Sequence, residues 1–360
     1  MTVPTRLAST PPPDWDARTV DRPGGHVYQS VAWATHRSRA GWEPWFLESD
    51  AAPVLALTRP WPSLPGGSAY IPRGPAPPGR GDVAGLALEA ATGMLAHAGI
   101  DVIAADAEVP AGDQTYRATL ARLGFRPIEE IQPSRHRVTL PLDPPAGEDP
   151  VFAGIAKSTR QRIHQAEAAG VEIVRHDRAV AQDPGDGFIA PADEPAIALG
   201  RFYDLLLGTG RERGFRFGPR EAFVPWWQDA LAAGHLVLLE ALVDGRAVAG
   251  LIVYRHGDRL STVHSADDAA TRDEHRGAGH LLRWRAIQVA IRENRTEMDL
   301  GGVDVPGARR EPREGDPTWG LYRHKLSFGG RWLELTGARQ RVIRPWRYAA
   351  GRVLARLARR

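Results

Sequence analysis

Residues 235–267 read HLVLLEALVDGRAVAGLIVYRHGDRLSTVHSAD. Three β-rich runs are joined by the pairs Asp244-Gly245 and Gly257-Asp258, and polar pairs containing glycine close tight hairpins because glycine reaches positive φ at no steric cost. The stretch predicts an antiparallel three-stranded meander. Beyond it, Leu281, Leu282, Trp284, Ile287, Ala290 and Ile291 recur at helical spacing over 278–293, and EMDLGGV (297–303) returns to a short strand. The first half repeats this order, with extended runs near 44–48, 53–58 and 67–71, an amphipathic helix near 82–98 after Gly81-Asp82, and the strand DVIAADAEV (101–109).

A similar helix follows in each half, TYRATLARLGFR at 115–126 and LYRHKLSFGGR at 321–331, pairing Tyr116-Arg117 with Tyr322-Arg323. Two equal element orders imply a duplicated unit. A chain of 360 residues also exceeds what one hydrophobic core usually organises. LDPPAGEDP (142–150) interrupts both periodicities, so the expected domains are 1–147, completed by the C-terminal segment 328–360, and 148–327. In the second, Asp149 and Pro150 are placed to start a helix running to Gly170, while the proline- and acid-rich stretch 176–195 reads as a surface loop.

Composition narrows the chemistry. With 42% hydrophobic and 25% charged residues and no cysteine, the chain is globular in type and has neither disulfides nor a thiolate nucleophile. No apolar run approaches a membrane span or a secretory leader, which places the expected protein in the cytoplasm. Its net charge of +3 is unevenly spread, because residues 337–360 hold eight arginines and no acid. In that tail Trp346, Ala349, Ala350, Val353, Leu354 and Leu357 recur at helical spacing between arginines, which suits either a helix docked on the body or one lying on an anionic membrane face. There is no nucleotide P-loop, no HExxH and no G-x-S-x-G turn, and His275 and His280 have no third partner for zinc. The segment HRGAGHLL (275–282) places Gly277 and Gly279 as in a pyrophosphate-binding helix start, but Glu274 would repel phosphate there.

Meander, helix, strand, helix, strand is the element order of the GNAT acyltransferase fold, and short matches in sequence order carry a closer likeness. HVYQSVAW (26–33), YIPRGP (70–75), LGFRPIEEIQP (123–133), KSTRQRIHQAEAAGV (157–171), TGRERGF (209–215), MDLGGV (298–303) and GLYRHKLSFGG (320–330) resemble, in order, the motifs of the FemABX aminoacyltransferases. The resemblance spans nearly the whole chain. It implies an α/β architecture of two tandem GNAT-like domains with mixed sheets facing a central cleft. It also implies aminoacyl-tRNA as donor and an amine of a UDP-linked or lipid-linked muramyl peptide as acceptor, with no metal and no cofactor beyond that co-substrate. The chain has no heptad segment to supply the helical-hairpin insertion of some family members, and it is expected to act as a monomer. His264 stands where the family has a tyrosine and His324 where it has a phenylalanine. These departures keep open tRNA-dependent tailoring of a secondary metabolite, beside the acyl-CoA-dependent alternative.

The resemblance assigns Lys325 to the catalytic cleft, where a fixed cation would stabilise charge developing on a carbonyl oxygen, with the neighbouring His324 as a candidate base. It marks Arg37 and Arg211 for the acceptor's diphosphate, with Arg213 able to take the place of Arg211, and Tyr70, His264 and Tyr322 as further substrate contacts. Both tyrosines also fit as core aromatics. Lys157, Arg160 and Arg162 read either as a tRNA-facing basic surface or as a solvated helix face.

Overall fold

The computed structural model describes residues 6–178, 185–272, 274–275 and 277–358. It divides into two compact units, Met1–His136 with Leu333–Arg360, and Arg137–Trp332. The first contains β1 (Arg6–Ala8), α1 (Trp15–Thr19), α2 (Val31–Arg39), β2 (Glu43–Glu48), β3 (Val54–Trp61), β4 (Leu64–Ile71), α3 (Gly81–His97), β5 (Val102–Ala105), α4 (Gln114–Arg122) and β6 (Arg126–Pro127). The second contains β7 (Arg137–Pro141), α5 (Glu148–Gly154), α6 (Lys157–Ala168), β8 (Glu172–His176), α7 (Pro195–Arg213), α8 (Arg220–Ala232), β9 (Leu236–Val243), β10 (Arg246–His256), β11 (Arg259–Asp267), α9 (Ala278–Arg292), β12 (Glu297–Asp299), α10 (Trp319–Leu326) and β13 (Arg331–Leu333). The chain then returns to the first unit with β14 (Arg339–Val342) and α11 (Pro345–Leu357).

Each unit holds one mixed sheet of seven strands, ordered β1-β2-β3-β4-β5-β14-β6 and β13-β7-β12-β11-β10-β9-β8. The duplication read from the sequence is visible in the pairing. In each sheet a meander ends in a strand that pairs parallel with the next one after a crossover helix, β4 with β5 and β11 with β12. An antiparallel strand from a distant part of the chain then covers that fourth strand: β14 pairs with β5, and β7 with β12. The helices between parallel strands bury one stripe or more. In α3 it is Ala84, Ala87, Leu88, Ala91 and Leu95, packed in one cluster with Ile71, Ile103 and Ala105. Fully burying a Leu or Ile side chain is worth about 1.5–3 kcal/mol, so the stripe rather than helix propensity holds α3 in place. Helix α9 is buried almost all round, from Leu281 to Ile291.

The structure redraws several boundaries. The strand Arg137–Pro141 lies in the second sheet, where Leu140 pairs with Met298, so the division falls at 136/137 rather than after 147. The return to the first unit is at Leu333 rather than 328. The helix expected from Asp149 to Gly170 is two helices, because Ile155 turns extended to bury its side chain at 2% exposure and Ala156 N–H donates to Ser327 O at 2.8 Å. The first five residues of TGRERGF are the last of α7, which Gly214 closes in the left-handed conformation. In the loop expected over 176–195, Ile189 bridges Val174, while residues 179–184 lie outside the described set.

Candidate active site

The second sheet opens where β11 and β12 part. Their parallel register ends at Ser261 opposite Asp299, and past that point the backbone of Thr262 on one side and Gly301-Gly302 on the other frame a gap. Lys325, at the end of α10, fills it. The side chain is 5% exposed, and Nζ donates to Gly302 O at 3.0 Å. Gly301 has φ +85, and a Cβ there would stand 2.8 Å from Thr262 O and 3.1 Å from Lys325 Nζ, so only glycine leaves room for the ammonium.

Lys325 has one cation, Arg283, acting on it. Arg283 of α9, 7% exposed, lies over the Phe328 ring at 5.7 Å and donates from Nη1 to His324 Nε2. The His324 ring is 4.7 Å from that of His280, whose Nε2 lies 3.5 Å from Arg162 Nη1. Burial, then Arg283, pushes Lys325 down to about 7, with Asp299 opposing. Burial alone pushes Arg283 down to about 10. His280 falls to about 4 through burial, Arg162 and Arg283, and His324 to about 2 through burial and then Arg283. Both imidazoles are neutral acceptors at ordinary pH. Asp299, the acid that opposes the lowering of Lys325, is already engaged by Arg137 Nη1 at 3.3 Å, Ser261 Oγ at 3.2 Å and Gly301 N–H at 2.7 Å.

Arg283, His324, His280 and Arg162 border a cavity of about 510 Å³ that is also lined by β10, β11, the first turn of α9 and the side chains of Arg213 and Arg272. The positive end of the α9 dipole adds to the same potential. Gly277, at φ +118, begins that turn, and a Cβ on it would meet Arg162 O at 2.3 Å. Asp267 also lines the cavity and pairs with Arg272 at 2.7 Å and Arg213 at 3.6 Å, so Arg162, Arg283 and the start of α9 are what remain there for an anionic group. Among the described residues, no cluster of His, Cys, Asp or Glu could hold a metal ion.

The other sequence candidates fall in several places. Arg162 lines the cavity, whereas Lys157 is exposed and Arg160 folds back to donate to Ala153 O at 2.8 Å, so the three do not share one face. Arg213 lines the cavity and lies 3.6 Å from Asp267, while Arg211 lines a separate groove with Arg201, Glu240 and Arg246. His264 sits against Phe217, Phe223 and Trp227 at ring distances of 5.0, 6.4 and 5.7 Å, and burial pushes it down to about 4. The Tyr322 hydroxyl is bonded to Glu311.

In the first unit, Arg37 lies between the rings of Trp33 and Trp42 at 5.6 and 5.5 Å. It is half-buried, which holds it below its ordinary value, and its Nε has no partner among the described residues. The parting of β4 and β5 is filled differently from its counterpart. Tyr70 donates to Asp106 at 2.9 Å and accepts from Gln132 at 3.0 Å. Arg73 stands 3.6 Å from Asp106 and 3.7 Å from Glu108. The same gap is thus neutralised in one unit and left cationic in the other. Sequence reasoning missed Arg283 and Asp299; the available signal was an arginine inside LLRWRAIQVAI, a helix with almost no polar face.

Residues 155–319 match the family described as Acetyltransferase (GNAT) domain. Among solved structures, the chain is similar to FemX at 16% identity with a TM-score of 0.76, over 96% of this chain and 99% of that one. It is also similar to a conserved protein of unknown function from Bacteroides thetaiotaomicron at 13% identity with a TM-score of 0.54, over 95% and 99%. No curated protein matches it in sequence. The chain thus has the tandem fold of FemX, and the stretch that matches the GNAT domain model lies in its second unit.

Proposed function

We propose that this chain is an aminoacyltransferase of the FemABX type, moving an amino acid from aminoacyl-tRNA to an amine on a UDP-linked or lipid-linked muramyl peptide, without metal or cofactor. The ordered motifs and the FemX fold support the class. The observation that carries the chemistry is Lys325, buried beside Arg283 at the parting of β11 and β12, with Arg283 and the neighbouring His324 lining the cavity.

An amide forms here without nucleotide activation because the carboxyl arrives as an ester. The acceptor amine attacks the ester carbonyl, the N–C bond forms, and the carbonyl electrons move onto oxygen. Collapse breaks the bond to the ribose oxygen, so the amine gives up one proton and the ribose oxygen gains one. As an ammonium, Lys325 stabilises both oxygens in turn and can hand its proton to the leaving one. With its pKa near 7 it readily recovers a proton from the nucleophile. His324, as the acceptor for Arg283, holds that guanidinium in place rather than taking a proton itself. Arg162, Arg213 and the α9 terminus would receive the donor's terminal phosphate, while Arg37 in the first unit and Arg211 in the second are separate candidates for the acceptor's diphosphate.

The start of α9 at Gly277, lining the cavity, favours one second reading, an acyl-CoA N-acyltransferase whose pyrophosphate sits there. Incubation with a muramyl-peptide precursor pool and charged tRNA, or separately with acetyl-CoA, separates the two. Product lost on ribonuclease treatment supports aminoacyl transfer; ribonuclease-resistant, CoA-dependent acylation replaces it with the second reading.

A further inference from the structure

Helix α11 has two opposed faces, and only one is used by the fold. Its inner face is fixed to the β3–β4 hairpin. A Cβ on Gly351 would lie 2.3 Å from the Trp61 indole, so the helix sits directly on that ring. Arg347 Nε is 3.2 Å from the buried Asp101 carboxylate and 3.1 Å from Pro65 O. Trp61 Nε1 donates to the same carboxylate at 2.8 Å, and Arg344 donates to Ile100 O and Ala96 O at 2.8 and 3.1 Å. Lifting the helix would strand Asp101, which is 0% exposed, without its arginines. The helix is an anchored part of the first unit.

Its outer face is apolar. Trp346, Val353 and Leu357 are 69%, 55% and 61% exposed, while every other described helix exposes at most one large apolar side chain. At about 100° per residue the three fall within roughly 40° of one another. Ala349 lies beside them, and the exposed Arg352 and Arg356 occupy the adjoining sector. Packing on the body does not explain this stripe, because the body lies on the opposite side. The charge beside it identifies what would cover it: Arg352 and Arg356 flank the stripe, and although Arg344 and Arg347 of the eight arginines in residues 337–360 face inward, that stretch holds no acid. An outward tryptophan, an aliphatic stripe and an arginine row together match a surface with an apolar interior and anionic headgroups. No described helix is long and apolar enough to cross a membrane, so contact through α11 would be peripheral.

We propose that the outer face of α11 docks the protein on an anionic lipid bilayer, with Trp346, Val353 and Leu357 entering the boundary between headgroups and acyl chains and Arg352 and Arg356 meeting lipid phosphates. The dock involves no residue of the second unit and does not depend on the transfer chemistry. The test is sedimentation of the full-length protein with vesicles of phosphatidylcholine alone and of phosphatidylcholine mixed with phosphatidylglycerol, at low and high salt. Expected is binding to the anionic vesicles only, fading as salt screens the arginines. The pairs Val353→Asp/Leu357→Asp and Arg352→Gln/Arg356→Gln should each weaken it about tenfold or more, with unchanged thermal midpoints. The proposal is overturned by absence of wild-type binding, by equal binding to neutral vesicles, or by binding that survives the substitutions in folded protein. A concentration-dependent dimer in sedimentation equilibrium that Leu357→Asp abolishes would overturn it too, making this face a contact between copies.

Discussion

Replacing Lys325 by Met should slow catalysis and at the same time stabilise the protein, with the second effect dependent on pH. Burial lowers the amine from 10.5 to about 7, so the folded state holds the proton less tightly than the unfolded chain. Below pH 7 both states are protonated and the folded protein bears the full cost of a buried ammonium, about 4–5 kcal/mol. Between pH 7 and 10.5 the unfolded state binds more protons, and wild-type stability rises with pH. Above 10.5 the cost is gone. Methionine never carries it, but leaves Gly302 O without its 3.0 Å donor, a loss of about 1–2 kcal/mol. The variant should therefore be more stable than wild type by roughly 3 kcal/mol at pH 6, with the difference shrinking steadily and reversing near pH 9–10. Equilibrium denaturation of both full-length proteins across that range reads the difference directly. kcat should fall by about a hundredfold, as for loss of one oxyanion donor. A stability difference flat with pH would refute the buried-ammonium reasoning, and near-normal turnover by the folded variant would remove Lys325 from the mechanism.

The counterpart gap in the first unit should respond oppositely: Arg73→Met leaves Asp106 and Glu108 buried without their guanidinium and should cost about 3–5 kcal/mol, so an unchanged thermal midpoint would contradict the pairing. Arg37→Ala should weaken acceptor binding by about 2–3 kcal/mol with little change in donor KM, measured by titration with the precursor. Because Arg211 and Arg213 line different depressions, Arg211→Ala should raise the acceptor KM and Arg213→Ala the donor KM; the same effect from both would show that the two depressions do not divide the substrates. Arg283→Leu removes the second-largest influence on His324, whose titration, followed by imidazole NMR, should move up from about 2 toward its ordinary 6.5; no movement would mean that Arg283 does not set the state of that ring.

Local signals carried most of the fold. The turn pairs Asp244-Gly245 and Gly257-Asp258 sit between β9, β10 and β11, and the apolar spacing of 278–293 gives α9 almost residue for residue. What failed depended on distant partners. β7 lies on the other side of the boundary from that expected because only its pairing with Glu297–Asp299 decides its sheet, and nothing within RVTLP records that. The break at Ile155 has no proline or glycine to announce it; a side chain drawn into the core makes it. At the site, the motif around Lys325 was readable, but its burial and the lowering of its pKa were not, since both arise from Arg283 and from strands that meet it only in the folded chain. Arg211 and Arg213 looked interchangeable because two residues along a helix turn a side chain to a different side, and which side faces the cavity is a tertiary fact.

The strand exchange that completes the first sheet has a consequence for biosynthesis. β5 and β6 leave a slot that only β14 fills, and β14 is made after the whole second unit. During translation at about 5–20 residues per second, the first 136 residues wait on the order of ten to forty seconds with two unsatisfied strand edges, while the second unit emerges entire. The later domain can finish folding first. A nascent chain stalled before residue 339 would carry a closed C-terminal unit behind an open N-terminal one, a species suited to chaperone capture or to pairing with the same slot on another ribosome's product.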